Sequence, residues 1–139
     1  MIIGDGPEKI LLQKKANKNI RFLGWQPDEV LKDYYRRTRA LIFPGEEDFG
    51  IVPVEVQACG RFVIAYGKGG ALETVADGQT GVFFNQSTTD SLLEAIARFE
   101  RLECKPATAR QNALYFSRDR FKTQLMEYLK DKVLGVATP

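Results

Sequence analysis

Glu47 and Glu55 stand eight positions apart in a chain that has no histidine at all. The missing imidazole removes the commonest general base, zinc ligand and triad member, so chemistry here must run on carboxylates, cations and backbone amides. Between the two glutamates lie Phe49, Gly50, Ile51, Val52 and Pro53. A glycine-bearing turn running into a helix with an early proline leaves amides without intrahelical acceptors, at the positive end of the helix dipole, which makes an anion site. Carboxylates accept well from sugar and ribose hydroxyls but repel phosphate. The spacing therefore suggests a division of labour, with Glu47 and Glu55 on hydroxyls and the amides near Gly50, Ile51 and Val52 on phosphate. The plainer reading makes Glu55 a first-turn acid placed by the dipole and Glu47 one acid in the solvated run Glu46-Glu47-Asp48.

Other stretches carry the same two readings. Gly69-Gly70-Ala71-Leu72-Glu73 is a loop entering a helix, or a second amide cluster beside the same ligand. Gly4-Asp5-Gly6-Pro7 taken alone is an ordinary turn. Lys68 and Arg61 are candidate phosphate partners, or surface cations. Phe49 reads as a packing anchor for its loop rather than a stacking platform. Trp25 could flank a nucleobase, though a partly buried structural tryptophan is the plainer expectation.

The elements that must position these groups follow from apolar patterning. Met1-Ile2-Ile3 reads as the end of a strand before the Gly4 turn, and Pro7 to about Ala16 as a helix with Pro7 early in it. Ile20–Leu23 alternates and stops at Gly24, suggesting a short strand. Val30, Leu31, Tyr34 and Tyr35 form a helical stripe after Pro27 and Asp28. Ala40–Phe43 reads as a buried strand, followed by a helix over about Pro53–Cys59. Phe62–Ala65 is a strand covered on both faces. A short helix around Leu72–Val75 and a strand at Val82–Phe84 come next. Helices are expected over Thr89–Leu102, 107–116 and 118–134, with a frayed tail at 135–139. Alternating strands and helices with short links predict an α/β fold, a Rossmann-like parallel sheet flanked by helices, over a single domain of residues 1–139. Ligands bind such sheets beyond the C-terminal strand ends, where the loops after Ile3, Leu23, Phe43, Ala65 and Phe84 would open.

Twenty Lys+Arg against eighteen Asp+Glu leave a charge of +2, which makes no case for a nucleic-acid partner. No apolar run approaches membrane-spanning length. Cys59 and Cys104 match no metal or redox spacing and read as reduced thiols, placing the protein in the cytoplasm.

In this order the pieces resemble the C-terminal domain of the retaining, nucleotide-sugar-dependent glycosyltransferases of group 1, which have the GT-B fold. The resemblance runs from Gly4 to about Phe121. It is carried by Gly4-Asp5-Gly6-Pro7, Phe22-Leu23-Gly24, Phe43-Pro44, Glu47 with Phe49-Gly50 and Glu55, Ala58-Cys59-Gly60, Val63-Ile64-Ala65, Gly69-Gly70 with Glu73, and Gly78-Gln79-Thr80-Gly81. It implies that Glu47 is catalytic and sits beside the donor sugar, and that Glu55 bonds the ribose. It implies that the amides of Phe49, Gly50, Ile51 and Val52 hold sugar hydroxyls and diphosphate, that Leu23, Gly24 and Trp25 border the base, and that Gly4 belongs to the donor site. Such enzymes retain anomeric configuration, take a nucleotide-diphosphate sugar as donor substrate, and use no further cofactor and usually no metal.

Arg61-Phe62 stands where the family often has proline, which puts the start of that strand in question. The family's first strand and helix, with an arginine and lysine for the diphosphate, and its N-terminal acceptor domain would all precede Met1. The chain is therefore expected to be a fragment of a two-domain enzyme, inactive alone, with unpaired sheet edges that favour a homodimer. Peripheral membrane attachment, frequent in the family, would belong to the other half. The alternative is a non-catalytic module binding a nucleotide or sugar phosphate.

Overall fold

The structure, a computed structural model, describes residues 1–134; the tail expected to fray, 135–139, lies outside the described residues. The chain forms two compact units, Met1–Tyr34 and Tyr35 onward.

In the first unit the two expected strands do pair, but barely. Ile2 and Phe22 form one parallel bridge, with Ile2 N–H donating to Arg21 O at 2.8 Å and Leu23 N–H to Ile2 O at 2.9 Å. The ladder stops because Gly4 and Gly24, at φ 113° and 68°, leave the extended region, and they meet instead in an antiparallel bridge. Helix α1 spans Lys9–Lys15 and buries none of its residues. It starts later than expected, so Pro7 precedes the helix rather than opening it. Helix α2, Asp28–Arg37, follows Pro27, whose carbonyl accepts the amides of Val30 and Leu31 at 3.0 Å. Its first turn holds Asp28 and Glu29 and its last turn Arg36 and Arg37, charges that complement the helix dipole.

The second unit is built on three parallel strands in the order β1 (Ala40–Phe43), β2 (Phe62–Tyr66), β3 (Gly81–Phe84). The register sets Ala40 beside Phe62 and Ile64 beside Val82. Strand β2 explains the architecture. Its alternate residues Phe62 and Ile64 join Val82, Phe84, Ala95, Phe99 and Ala109 on one face. Val63 and Ala65 join Phe43, Val56, Ala71 and Val75 on the other. A central parallel strand buried on both faces needs such a continuous apolar run. Each fully buried large side chain contributes about 1.5–3 kcal/mol.

Helix α3 (Ile51–Ala58) crosses over from β1 to β2, and the single turn α4 (Ala71–Thr74) lies between β2 and β3. Helix α5 (Thr89–Glu100) is capped by Thr88, whose hydroxyl accepts the Ser91 amide at 3.3 Å. Helix α6 (Pro106–Leu114) opens on its proline. Helix α7 (Arg118–Leu129), capped by Ser117, continues as a π-helical turn over Lys130–Leu134 instead of the uninterrupted helix expected over 118–134. The expected α/β arrangement of parallel strands flanked by helices is what the chain forms, and β2 begins at Phe62 despite the Arg61-Phe62 departure. No helix of the described residues is long and apolar enough to cross a membrane.

Candidate functional site

Because β1, β2 and β3 are parallel, the segments after Phe43, Tyr66 and Phe84 leave from the same edge of the sheet. The first of these is the loop 44–50, and it carries Glu46, Glu47 and Asp48 into solvent, all three exposed. Gly50 ends the loop as the cap of α3 in the left-handed conformation, φ 73° and ψ 62°, a region glycine enters without penalty. Gly50 is buried while Ile51 is exposed and Val52 half-buried, so the first turn of α3 faces outward at the strand ends. Its first amides have no acceptor within the helix, and Pro53 brings no amide at all. The helix starts at Ile51, not Pro53, and so includes Ile51 and Val52, while Gly50 is its cap and Phe49 lies in the loop before it.

Glu55 lies one turn further into α3 and is exposed. The hydroxyl of Tyr35 donates to Glu55 Oε2 at 3.4 Å. Burial above all, together with the Glu55 charge and hydrogen bond, pushes the Tyr35 hydroxyl up to about 12. Phe49 is 48% exposed and meets Phe116 edge-on, with ring centroids 6.0 Å apart, so it anchors the loop as expected while leaving half its surface open.

The loop after β2 returns to the same place. The Gly70 amide donates to the Glu47 carbonyl at 2.7 Å. Behind it lies a buried polar network. Gln57 Nε2 donates to Pro53 O at 3.1 Å and to Thr74 O at 2.8 Å, and Thr74 Oγ1 donates to Gly70 O at 3.0 Å. Asn112 Nδ2 closes the network on Gln57 Oε1 at 2.6 Å and Thr74 O at 2.9 Å. Gln57 and Thr74 are completely buried, where an unpaired amide or hydroxyl would be costly. Inspection of the sequence did not single out Gln57, Thr74 or Asn112; a polar residue on the apolar side of α3 is the signal that was available.

The two candidate phosphate cations part company. Lys68 follows β2 at the loop edge, with Nζ 5.4 Å from the Tyr66 ring. Arg61 precedes β2 and so lies at the opposite edge of the sheet from loop 44–50, its buried Nε without a partner. The direction of a parallel strand removes Arg61 from the site.

Gly4, Gly24 and Trp25 come together in the first unit. Gly4 N–H donates to Gly24 O at 2.8 Å, and the Trp25 amide donates to Asp5 Oδ2 at 2.7 Å. Asp5 also pairs with Lys9, and these two contacts, Lys9 first, hold its carboxyl below the usual carboxylate range. Asp5 thus ties the Gly4 turn to the Gly24 turn, a role that reading Gly4-Asp5-Gly6-Pro7 as an ordinary turn missed. Trp25 is 74% exposed rather than partly buried, because its backbone and not its ring is the part that is held.

The glycosyl transferases group 1 family matches residues 1–115. This chain belongs to that family. The D-inositol 3-phosphate glycosyltransferase of Gordonia bronchialis is 37% identical over 105 residues, 72% of this chain and 23% of that protein. Its counterpart from Nocardiopsis dassonvillei is 40% identical over 83 residues, 59% of this chain and 19% of that protein. The chain thus spans about a fifth to a quarter of these relatives' length. Among solved structures, sucrose-phosphate synthase from Thermosynechococcus elongatus superposes with a TM-score of 0.76 at 22% identity, over 97% of this chain and 38% of that one. HepE from Anabaena in complex with UDP-glucose superposes with a TM-score of 0.72 at 23% identity, over 93% of this chain and 40% of that one. At these identities the superpositions establish the fold, a parallel sheet flanked by helices that matches GT-B glycosyltransferases.

Proposed function

We propose that this group 1 chain is the donor-binding half of a retaining glycosyltransferase that moves a sugar from a nucleotide-diphosphate sugar to an acceptor. The observation that carries the reading is the junction of loop 44–50 and α3. An exposed glutamate precedes a left-handed glycine cap, a helix N-terminus follows at the C-terminal strand edge, and a second glutamate stands one turn on. In this reading the amides of Phe49, Gly50, Ile51 and Val52 hold the diphosphate and the sugar hydroxyls, Glu55 accepts from the ribose, and Glu47 lies beside the transferred sugar. Charge developing on the leaving diphosphate is stabilised by oriented dipoles that need no reorganisation during transfer. That one relative of the same fold was solved with UDP-glucose supports the donor class.

The relatives are several times longer than this chain, so acceptor binding and turnover are assigned to sequence beyond it, and the chain alone is expected to bind donor without transferring sugar. Calorimetric titration with UDP, GDP and ADP and their glucose conjugates tests the reading. Saturable heat with one nucleotide family is expected, and no heat with any of them would sink donor binding by this chain.

A further inference from the structure

Gly70 has a backbone conformation that does not need glycine. Its φ of −62° and ψ of −16° are ordinary right-handed values that any residue with a side chain adopts. Space forbids alanine. A Cβ on Gly70 would fall on the backbone of Phe49, and one on Gly69 would fall on the Glu47 carbonyl, both well inside the 3.0 Å that real Cβ atoms essentially never show. The obstructing atoms are main chain, so no rotamer change relieves them. With both side chains absent, the Gly70 amide reaches the Glu47 carbonyl at 2.7 Å.

We infer that the Gly69-Gly70 turn is a positioning clamp for the glutamate loop, with Gly70 as the residue that fixes where Glu47 stands. The inference rests on the donor-site reading above and extends it to how the site is held. The clamp is anchored in turn. Thr74 Oγ1 donates to the Gly70 carbonyl, and the Thr74 carbonyl accepts from Gln57, which sits two residues beyond Glu55 on α3. Glu47 and Glu55, on separate elements, are thereby referred to one buried network: Glu47 through Gly70 and Thr74, Glu55 through Gln57. The Gly70 amide is engaged by the Glu47 carbonyl rather than offered to a ligand, so the role of Gly70 is positioning rather than catalysis.

Amide exchange and amide chemical shifts in the ligand-free protein, together with titration by UDP-glucose and by UMP, test the clamp. Gly70→Ala is expected to shift the amides from Glu46 to Gly50. It should also cost UDP-glucose affinity about tenfold or more, the scale of a hydrogen-bonding group left without its partner. UMP, which lacks the sugar and the second phosphate, should lose far less, so the ratio of the two affinities falls. Loss of global stability alone would not change that ratio. Gly78→Ala is the control: unlike Gly70, Gly78 has a positive φ, 72°, so alanine strains the backbone there, yet a Cβ meets nothing within 4 Å. It should leave both the loop amides and the ratio unchanged. If Gly70→Ala does not fold, Thr74→Val keeps the buried shape and removes only the hydroxyl; it should speed exchange of the Gly70 amide by about tenfold. Unchanged loop amides in Gly70→Ala, unchanged Gly70 exchange in Thr74→Val, or an unchanged affinity ratio would each overturn the clamp. Failure of the wild-type protein to bind UDP-glucose would instead sink the donor reading and leave the amide measurements to decide the clamp.

Discussion

Asn112 on α6 donates its side-chain amide to Gln57 Oε1 at 2.6 Å, and Gln57 has no surface exposed to water. A helix remote in sequence from the glutamates therefore satisfies a buried acceptor two residues from Glu55. Replacing Asn112 by alanine leaves that acceptor unpaired, which costs about 1–3 kcal/mol. Denaturant unfolding should show the loss as a lower midpoint with an unchanged slope, and an unchanged midpoint would mean that Gln57 finds another partner.

Glu55→Ala should weaken binding of the nucleotide that gives heat by about 1–3 kcal/mol, through ribose hydroxyls left unpaired. Titration calorimetry checks this directly, and unchanged affinity would refute the ribose role.

Glu47→Ala has a different signature. In an active protein that includes this chain, kcat should fall more than nucleotide affinity, because Glu47 is assigned to the transferred sugar rather than to the nucleotide. Steady-state kinetics beside UDP titration separates the two; the reverse pattern would mean that Glu47 has been given the wrong partner.

Tyr35 gives an alkaline signature. Its ordinary value is 10.0, and in the fold it is pushed up to about 12. The unfolded chain therefore releases this proton first, so the contribution to stability is fully present below pH 10 and is lost as the pH rises toward 12. Tyr35 is half-buried, so solvent screening keeps the effect shallow. Absorbance titration of tyrosinate should show one late-ionising residue that Tyr35→Phe removes and that Glu55→Gln shifts back toward the ordinary range.

Asp5 gives the opposite, acidic signature, at the Gly24–Trp25 turn. Its folded value is lowered, chiefly by Lys9, so what it contributes is present above the ordinary carboxylate value and is lost as the pH falls through the folded value. Trp25 is the chain's single tryptophan and reports on this turn directly. Its fluorescence should change on acidification, and Asp5→Asn should abolish that change.

The sequence alone determined what short-range pattern can determine. The apolar run Phe62–Ala65 between glycines pointed to a strand covered on both faces, and the glycine and proline flanking Ile51-Val52 to a loop entering a helix. Phosphate-compatible amides and hydroxyl-compatible carboxylates followed from residue type. What it could not supply was reach. The pairing of Ile2 with Phe22 ends after one bridge because backbone dihedrals at Gly4 and Gly24 end it, and apolar patterning does not encode that. Arg61 and Lys68 looked equivalent until the direction of β2 set them at opposite edges. Gln57, Thr74 and Asn112 are unremarkable polar residues in the sequence and become a network only when α3, α4 and α6 converge. Gly70 is the sharpest case. Its dihedrals would admit any residue, and only the backbone of Phe49, twenty-one positions earlier, forbids a side chain there.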